Sequence, residues 1–176
     1  MGISVIYAVS KNGVIGQNNT IPWHLSDELK YFSRVTRDSI LIMGRKTYES
    51  LPNKTLPDRH LVVVSKDHSS MINASAAPIN VVAVGDIKEA MLVSRSIQRI
   101  SGSSQVFFIG GKEIIVAGLK EAGTLYVTEV DIEVSEDPSN IVVDPVDLNV
   151  WELKATEYYK DTKTSILFTT MKFVKK

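Results

Sequence analysis

The sequence predicts an α/β fold, a three-layer sandwich around a central, mostly parallel sheet with an antiparallel strand at its C-terminal edge. Three observations carry that expectation. Short runs rich in Val and Ile recur along the chain, helix-like stretches separate them, and a long strand-like run closes the sequence behind an acidic segment. Strands apolar on both faces suit the middle of a sheet covered by helices on either side. Regular alternation of β with α implies parallel neighbours joined by right-handed crossovers.

Strands are expected at residues 3–9, 40–43, 61–64, 81–84, 106–109 and 125–130. Helices are expected at 27–35, 45–51, 87–97 and 112–119. Ser26 stands where an N-cap belongs, with acidic residues following in the first turn. Residues 11–24 form a long loop holding Gly13, Gly16 and Pro22, and loops of this length are usually functional or disordered. Residues 67–78, rich in Ser and Ala, are expected to be a variable surface connection. The final run, 164–174, is joined through 160–163 to a preceding strand and makes an antiparallel hairpin.

A chain of 176 residues with 44% hydrophobic and 23% charged residues suits one soluble domain spanning 1–176. Lys plus Arg and Asp plus Glu number 20 each, so no global field favours nucleic acid or an anionic membrane. The absence of cysteine excludes disulfides and thiolate metal sites. His24, His60 and His68 show no ligand spacing, and no metal is expected. No apolar run reaches membrane-spanning length, no signal pattern is visible, and Ile6 stands where a myristoylation motif needs Ser or Thr. The three Asn-x-Ser/Thr matches are read as chance. The expectation is a cytoplasmic enzyme acting as a monomer.

Three constellations carry chemistry. In Ile21-Pro22-Trp23-His24-Leu25-Ser26-Asp27-Glu28-Leu29-Lys30-Tyr31-Phe32, helical spacing puts Glu28 and Phe32 on one face with Leu29 beside it. That suits a carboxylate in a half-apolar pocket, though spacing alone favours a solvated helix-dipole partner. In Val106-Phe107-Phe108-Ile109-Gly110-Gly111-Lys112-Glu113, a strand ends in two glycines where a helix begins. Backbone amides there can approach a phosphate, although glycine also serves plain turn sterics. In Ile42-Met43-Gly44-Arg45-Lys46-Thr47-Tyr48, two cations oppose the dipole at a helix start. A bound phosphate would compensate them, and a solvated charge pair is the alternative. The last two sites lie where strands end, the usual place for α/β ligand sites.

Taken together, these segments resemble dihydrofolate reductase over nearly the whole chain. Val14-Ile15-Gly16 followed by Ile21-Pro22-Trp23-His24-Leu25 is similar to that family's substrate loop. The run from Met43 to Leu51 resembles its second motif. Leu56-Pro57-Asp58-Arg59 resembles the turn that holds the substrate's glutamate tail, and Ile109-Gly110-Gly111 resembles the cofactor turn with its cis Gly-Gly bond. Each motif alone is weak; these four, with Glu28 falling on the family's pterin-binding carboxylate between the first two, make five in the right order, and that is specific.

The resemblance implies that NADPH reduces 7,8-dihydrofolate to tetrahydrofolate, serving one-carbon and thymidylate metabolism, and that antifolates bind. Glu28 would be the catalytic carboxylate, gripping pterin N3 and the 2-amino group, with Thr128 orienting it. The carbonyls of Ile6 and Ile109 would face the pterin edge. Leu29, Phe32, Leu51 and Leu56 would wall the benzoyl group, and Arg59 would fork onto the α-carboxylate. Gly44, Arg45, Lys46, Thr47, Ser65 and Lys66 would gather around the adenosine ribose and its 2′-phosphate. Ala8, Ile15, Gly16, Asn19 and Thr20 would flank the nicotinamide. Gly110 and Gly111 would meet the pyrophosphate, with Lys112, Glu113 and Ile114 next to them. Four features depart from the family pattern: Glu113 near the phosphates, Ile115 in place of a common tyrosine, Ser33 in place of a common lysine, and the segment 137–150. Two rivals are a pyrimidine-reducing enzyme on the same fold and a nucleotide-binding module without turnover. Neither needs both Glu28 and Arg59.

Overall fold

The computed structural model describes residues 2–67, 79–103 and 105–176. The surface connection expected over 67–78 falls, from residue 68 onward, outside the described residues, as do His68 and the Asn-x-Ser match Asn73-Ala74-Ser75. In chain order the elements are β1 (Gly2–Ser10), β2 (Val14–Gly16), α1 (Ser26–Val35), β3 (Ile40–Gly44), α2 (Arg45–Ser50), a 3-10 turn (Pro52–Lys54) and β4 (His60–Val64). There follow β5 (Val81–Val84), α3 (Ile87–Ser101), β6 (Gln105–Gly110), α4 (Lys112–Glu121), β7 (Thr124–Val130), β8 (Ile141–Val142), β9 (Trp151–Lys160) and β10 (Leu167–Lys175).

Eight strands form one sheet in the order β5-β4-β3-β6-β1-β7-β10-β9. The pairs from β5 across to β7 are parallel, and β10 runs antiparallel to both β7 and β9. The six strands read from Val- and Ile-rich runs all form, as do the four helices. The strand order reverses at β1, because the chain steps outward through β3, β4 and β5 before β6 returns between β3 and β1. In α/β sheets such a switch point is where a ligand crevice is expected, here at the carboxyl ends of β1, β3 and β6.

Side chains of β1 alternate between two cores. Val5 and Tyr7 join Ile114 and Ile115 of α4 and Ala90 of α3 on one face. Ile6 joins Leu41, Met43, Tyr48, Leu61 and Phe107 on the other, where Phe32 of α1 and Leu51 also pack. Gly118 lets α4 lie close to the sheet, for a Cβ there would stand 2.6 Å from Phe108 Cβ and 2.9 Å from Val5 Cγ2. Among the described residues no helix is long and apolar enough to cross a membrane.

Four local expectations need correction. Ser26 does not cap α1; the N-cap is Leu25, without a side-chain cap bond, and Ser26 is the first helical residue. The hairpin turn is longer than 160–163, and β10 starts at Leu167 and not at Thr164. Asp161 causes this, since its Oδ2 accepts from the amides of Lys163 and Thr164 and from Thr164 Oγ1, winding those residues into a turn. Finally, 11–24 is not wholly loop: β2 forms within it and pairs with β8. A strand of three residues leaves too little alternation to be read from sequence. The helix α3 also runs past 97 to Ser101, ending at Gly102 in the left-handed region (φ 75).

Candidate active site

Glu28 lies in the first turn of α1, and its side of the helix turns inward. The residue is 8% exposed, and burial pushes its carboxyl up to about 7 from the ordinary 4.5. The solvated reading of Glu28 is therefore overturned. Phe32, one turn on, belongs with Ile6, Leu51, Leu56 and Ile109 to a single apolar cluster, drawn from α1, β1, the α2 end, the segment before β4 and β6. Leu29 does not join them and stays 44% exposed. Thr128 is buried on β7 opposite Ala8 of β1. Among the described residues it shares no hydrogen bond with Glu28.

Arg59 sits just before β4 and is also 8% exposed. Its Nε donates to the Pro57 carbonyl at 2.8 Å, and its Nη1 donates to Thr36 Oγ1 at 3.2 Å and Ser33 Oγ at 3.4 Å. Burial lowers its pKa, with Asp58 opposing that effect. Ser33, where a lysine is common, thus becomes an acceptor for the guanidinium.

The two glycine turns meet. Met43 of β3 pairs with Gly110 of β6, and the peptide Gly110-Gly111 is cis. A Cβ on Gly44 would lie 3.6 Å from Ile114 Cγ1 and 3.7 Å from Gly111 N, and one on Gly110 would lie 3.4 Å from Thr47 Oγ1. Gly110 has φ 141, which side chains rarely adopt. Thr47, Gly44 and the glycine pair therefore form one cradle of bare backbone at the starts of α2 and α4. Exposed Arg45, Lys46 and Lys66 stand at the ends of β3 and β4, with Ser65 buried beside them. This arrangement fits a dinucleotide phosphate. Part of the mismatch at α2 is settled within the helix, because Arg45 Nη1 pairs with Glu49 Oε1 at 2.6 Å. Lys112 and Glu113 are exposed on α4, and Ile115 is buried in the core (2% exposed).

Ala8, Ile15 and Gly16 lie on β1 and β2, while Asn19 and Thr20 belong to a tight turn. Gln17 and Thr20 exchange backbone bonds of 2.9 Å, and Asn18 and Asn19 take positive φ (50 and 61). The loop is pinned to the acidic segment. Asn12 Nδ2 donates to the Val134 carbonyl, the amide of Val134 donates back to Asn12 Oδ1, and Gln17 Nε2 donates to Asn140 Oδ1 at 2.8 Å. The amide of Asn18 donates to Ser139 Oγ. The sequence reading missed these partners; the Asn-Gly at 12–13 was the one turn signal pointing to them.

It also missed how α1 begins. The amide of Asp27 donates to Asp161 Oδ1 at 2.9 Å, while Asp27 Oδ2 accepts from the amide (2.7 Å) and Oγ1 (2.8 Å) of Thr162. Partners 134 residues apart leave no local trace.

A family model described as dihydrofolate reductase matches residues 2–175. Dihydrofolate reductase type 9 of Escherichia coli is 40% identical over 135 residues, 77% of this chain and 73% of the relative. A dihydrofolate reductase of Buchnera aphidicola (strain Bp) is 31% identical over 176 residues, covering 100% of this chain and 99% of its own. Among solved structures, the Enterococcus faecalis dihydrofolate reductase complexed with NADP(H) and RAB-propyl superposes with a TM-score of 0.76 at 23% identity, covering 99% and 96% of the two chains.

Proposed function

The chain belongs to the dihydrofolate reductase family, and on that premise we propose that Glu28 is the carboxylate on which its reaction turns. The reaction is the NADPH-dependent reduction of 7,8-dihydrofolate to tetrahydrofolate, with hydride delivered to C6 and a proton to N5. When bound, NADPH supplies the hydride; the protein supplies orientation, exclusion of water and control of the proton. The observation that carries the reading is a buried carboxyl, its ionisation raised to about 7, one helical turn before Phe32, which packs into the apolar cluster that also holds Ile6, Leu51, Leu56 and Ile109.

Glu28 binds the pterin N3 and 2-amino group and promotes protonation at N5 indirectly, through water or by tuning the ring. The apolar cluster walls the pterin and benzoyl groups, with Ile6 and Ile109 offering backbone carbonyls. Arg59, a buried cation, takes the α-carboxylate of the glutamate tail. Gly44, Thr47, Gly110 and Gly111 hold the cofactor's phosphates against bare backbone, and Arg45, Lys46 and Lys66 with Ser65 attract its 2′-phosphate. Ala8 and the 15–20 turn flank the nicotinamide end. One chain supplies every group, so the proposed working unit is a single-domain monomer.

The test is NADPH oxidation followed spectrophotometrically with and without dihydrofolate, on wild type and Glu28→Gln. Turnover that needs dihydrofolate and collapses in Glu28→Gln supports the reading. Dihydrofolate-dependent turnover undiminished in that variant sinks it.

A further inference from the structure

The start of α1 is fixed from the far end of the chain. We propose that Asp161, in the turn of the β9–β10 hairpin, is a positioning residue that sets where Glu28 stands in the substrate site. The inference rests on the reading of Glu28 as the pterin-binding carboxylate.

A helix start leaves orphan amides, and a local Ser, Thr, Asn or Asp usually takes one. Here Leu25 occupies the N-cap and offers none. Asp161 accepts the Asp27 amide instead, and Asp27 accepts from both the amide and the hydroxyl of Thr162. The exchange is reciprocal, as in a capping box, but its halves come from different ends of the chain. Both carboxylates also complement the positive end of the helix dipole. Asp161 is 1% exposed, and its other oxygen is committed to three donors in its own turn. It therefore has little freedom to shift.

An apolar contact repeats the same connection independently. Leu25 is 1% exposed and clusters with Val130 and Phe168, with Trp23, Tyr159 and Ile166 packed around them. Tyr159 stacks on Phe168 at 5.0 Å and 11°, and Tyr31 of α1 lies 6.4 Å from Tyr159. The hairpin is itself tied to the sheet by the β10–β7 ladder, which sets Thr170 opposite Thr128. Residues on both sides of the helix start, Leu25 and Asp27, are thus held to the hairpin, and Glu28 is the next residue. A buried carboxyl so close to its anchor inherits any shift of that anchor.

Asp161→Asn tests this selectively. An Asn has one acceptor oxygen, and three donors from Lys163 and Thr164 compete for it against one from Asp27. The amide group then faces the Asp27 N–H, donor against donor, so the turn survives while the cap is lost. Asp27→Ala removes the reciprocal half, the acceptor of the Thr162 amide and hydroxyl, and keeps the Asp161 carboxylate with its bonds to Lys163 and Thr164. Fluorescence titration with each ligand, alongside steady-state kinetics, gives the readout. Each variant is expected to weaken dihydrofolate binding by about five- to tenfold, the effect of losing a helix cap, to raise KM for dihydrofolate in step, and to leave NADPH affinity unchanged. A folded variant of either kind with wild-type dihydrofolate affinity overturns the proposal. So does an equal loss for both ligands, which marks general loosening. If Asp161→Asn does not fold, Asp27→Ala decides alone. Glu28→Gln separates the two readings: impaired there with Asp161→Asn unimpaired, only this inference fails; unimpaired there, both fail.

Discussion

Ser33 Oγ lies 3.4 Å from Arg59 Nη1, so a serine one turn along α1 from Leu29 helps hold the guanidinium expected to meet the substrate's tail. Thr36, one turn closer to the helix end, takes the same nitrogen at 3.2 Å. These partners are neutral, and among the described residues Arg59 forms no salt bridge. A buried cation with neutral hydrogen-bond partners, and with Asp58 and Asp38 acting on it only from beyond salt-bridge distance, suits a carboxylate ligand.

The first prediction follows from that geometry. Arg59→Leu should weaken dihydrofolate binding severely and leave NADPH affinity nearly unchanged, because charge-assisted bonds contribute about 1.5–3 kcal/mol each. Its Tm should fall little, since the substitution also removes a poorly compensated buried charge. An unaltered KM for dihydrofolate would take Arg59 out of the site.

Cofactor choice gives the second prediction. NADPH should be preferred to NADH, because the cations near the end of β3 and beyond β4 answer a 2′-phosphate that NADH lacks. Arg45 already shares its charge with Glu49, so Lys46 and Lys66, both exposed, are the better levers. Replacing both with Gln should erode the NADPH-to-NADH ratio of kcat/KM, and raising salt should erode it in the wild type. Equal use of both cofactors by the wild type would remove the phosphate assignment and make Glu113 the first suspect.

The central elements were legible because burial on both faces of a parallel sheet writes itself as unbroken apolar runs, as at 40–43 and 61–64. The cofactor cradle was half legible. Gly44 and Gly110-Gly111 stand out as glycines at strand ends, but their meeting across Thr47 depends on β3 and β6 being neighbours, which no window of sequence contains. Ser26 misled because a good capping residue stood beside a better cap supplied by Asp161 from the far end of the chain. Glu28 shows the limit most clearly. Helical spacing gave it an apolar neighbour, yet its burial comes from the tertiary fold, and spacing alone favoured the surface.

That burial has a cost, which is the third prediction. In the unfolded chain Glu28 ionises near 4.5, and in the fold at about 7. Between those values the folded state holds more protons than the unfolded one, so Glu28 lowers stability as pH rises through the interval. Glu28→Gln cannot ionise and lacks that slope. The stability difference between variant and wild type should therefore shift in the variant's favour from about pH 4.5 to 7, by roughly 3 kcal/mol in total, and level off above. Urea titrations across that range measure it. A difference independent of pH would mean the carboxyl is hydrated.

The last prediction joins ionisation to chemistry. A carboxyl poised at about 7 is largely protonated in mild acid and largely ionised in mild base. Protonation at N5 must accompany hydride arrival at C6, so the hydride-transfer rate should fall as pH rises through the apparent ionisation of the complex. Substrate and Glu28 titrate together there, and the midpoint belongs to the pair. Glu28→Gln keeps the size and some hydrogen bonding of the side chain but can neither ionise nor pass a proton. It should slow hydride transfer by a factor of about 10²–10⁴ at neutral pH, the usual contribution of a positioned acid–base group. Part of the rate should return in acid, where solution supplies the proton to dihydrofolate before it binds. Single-turnover measurements with NADPH from acid to neutral pH give both readings in one series. Gln variants that transfer hydride as fast as the wild type at neutral pH would leave Glu28 as a buried helix-start carboxyl and nothing more.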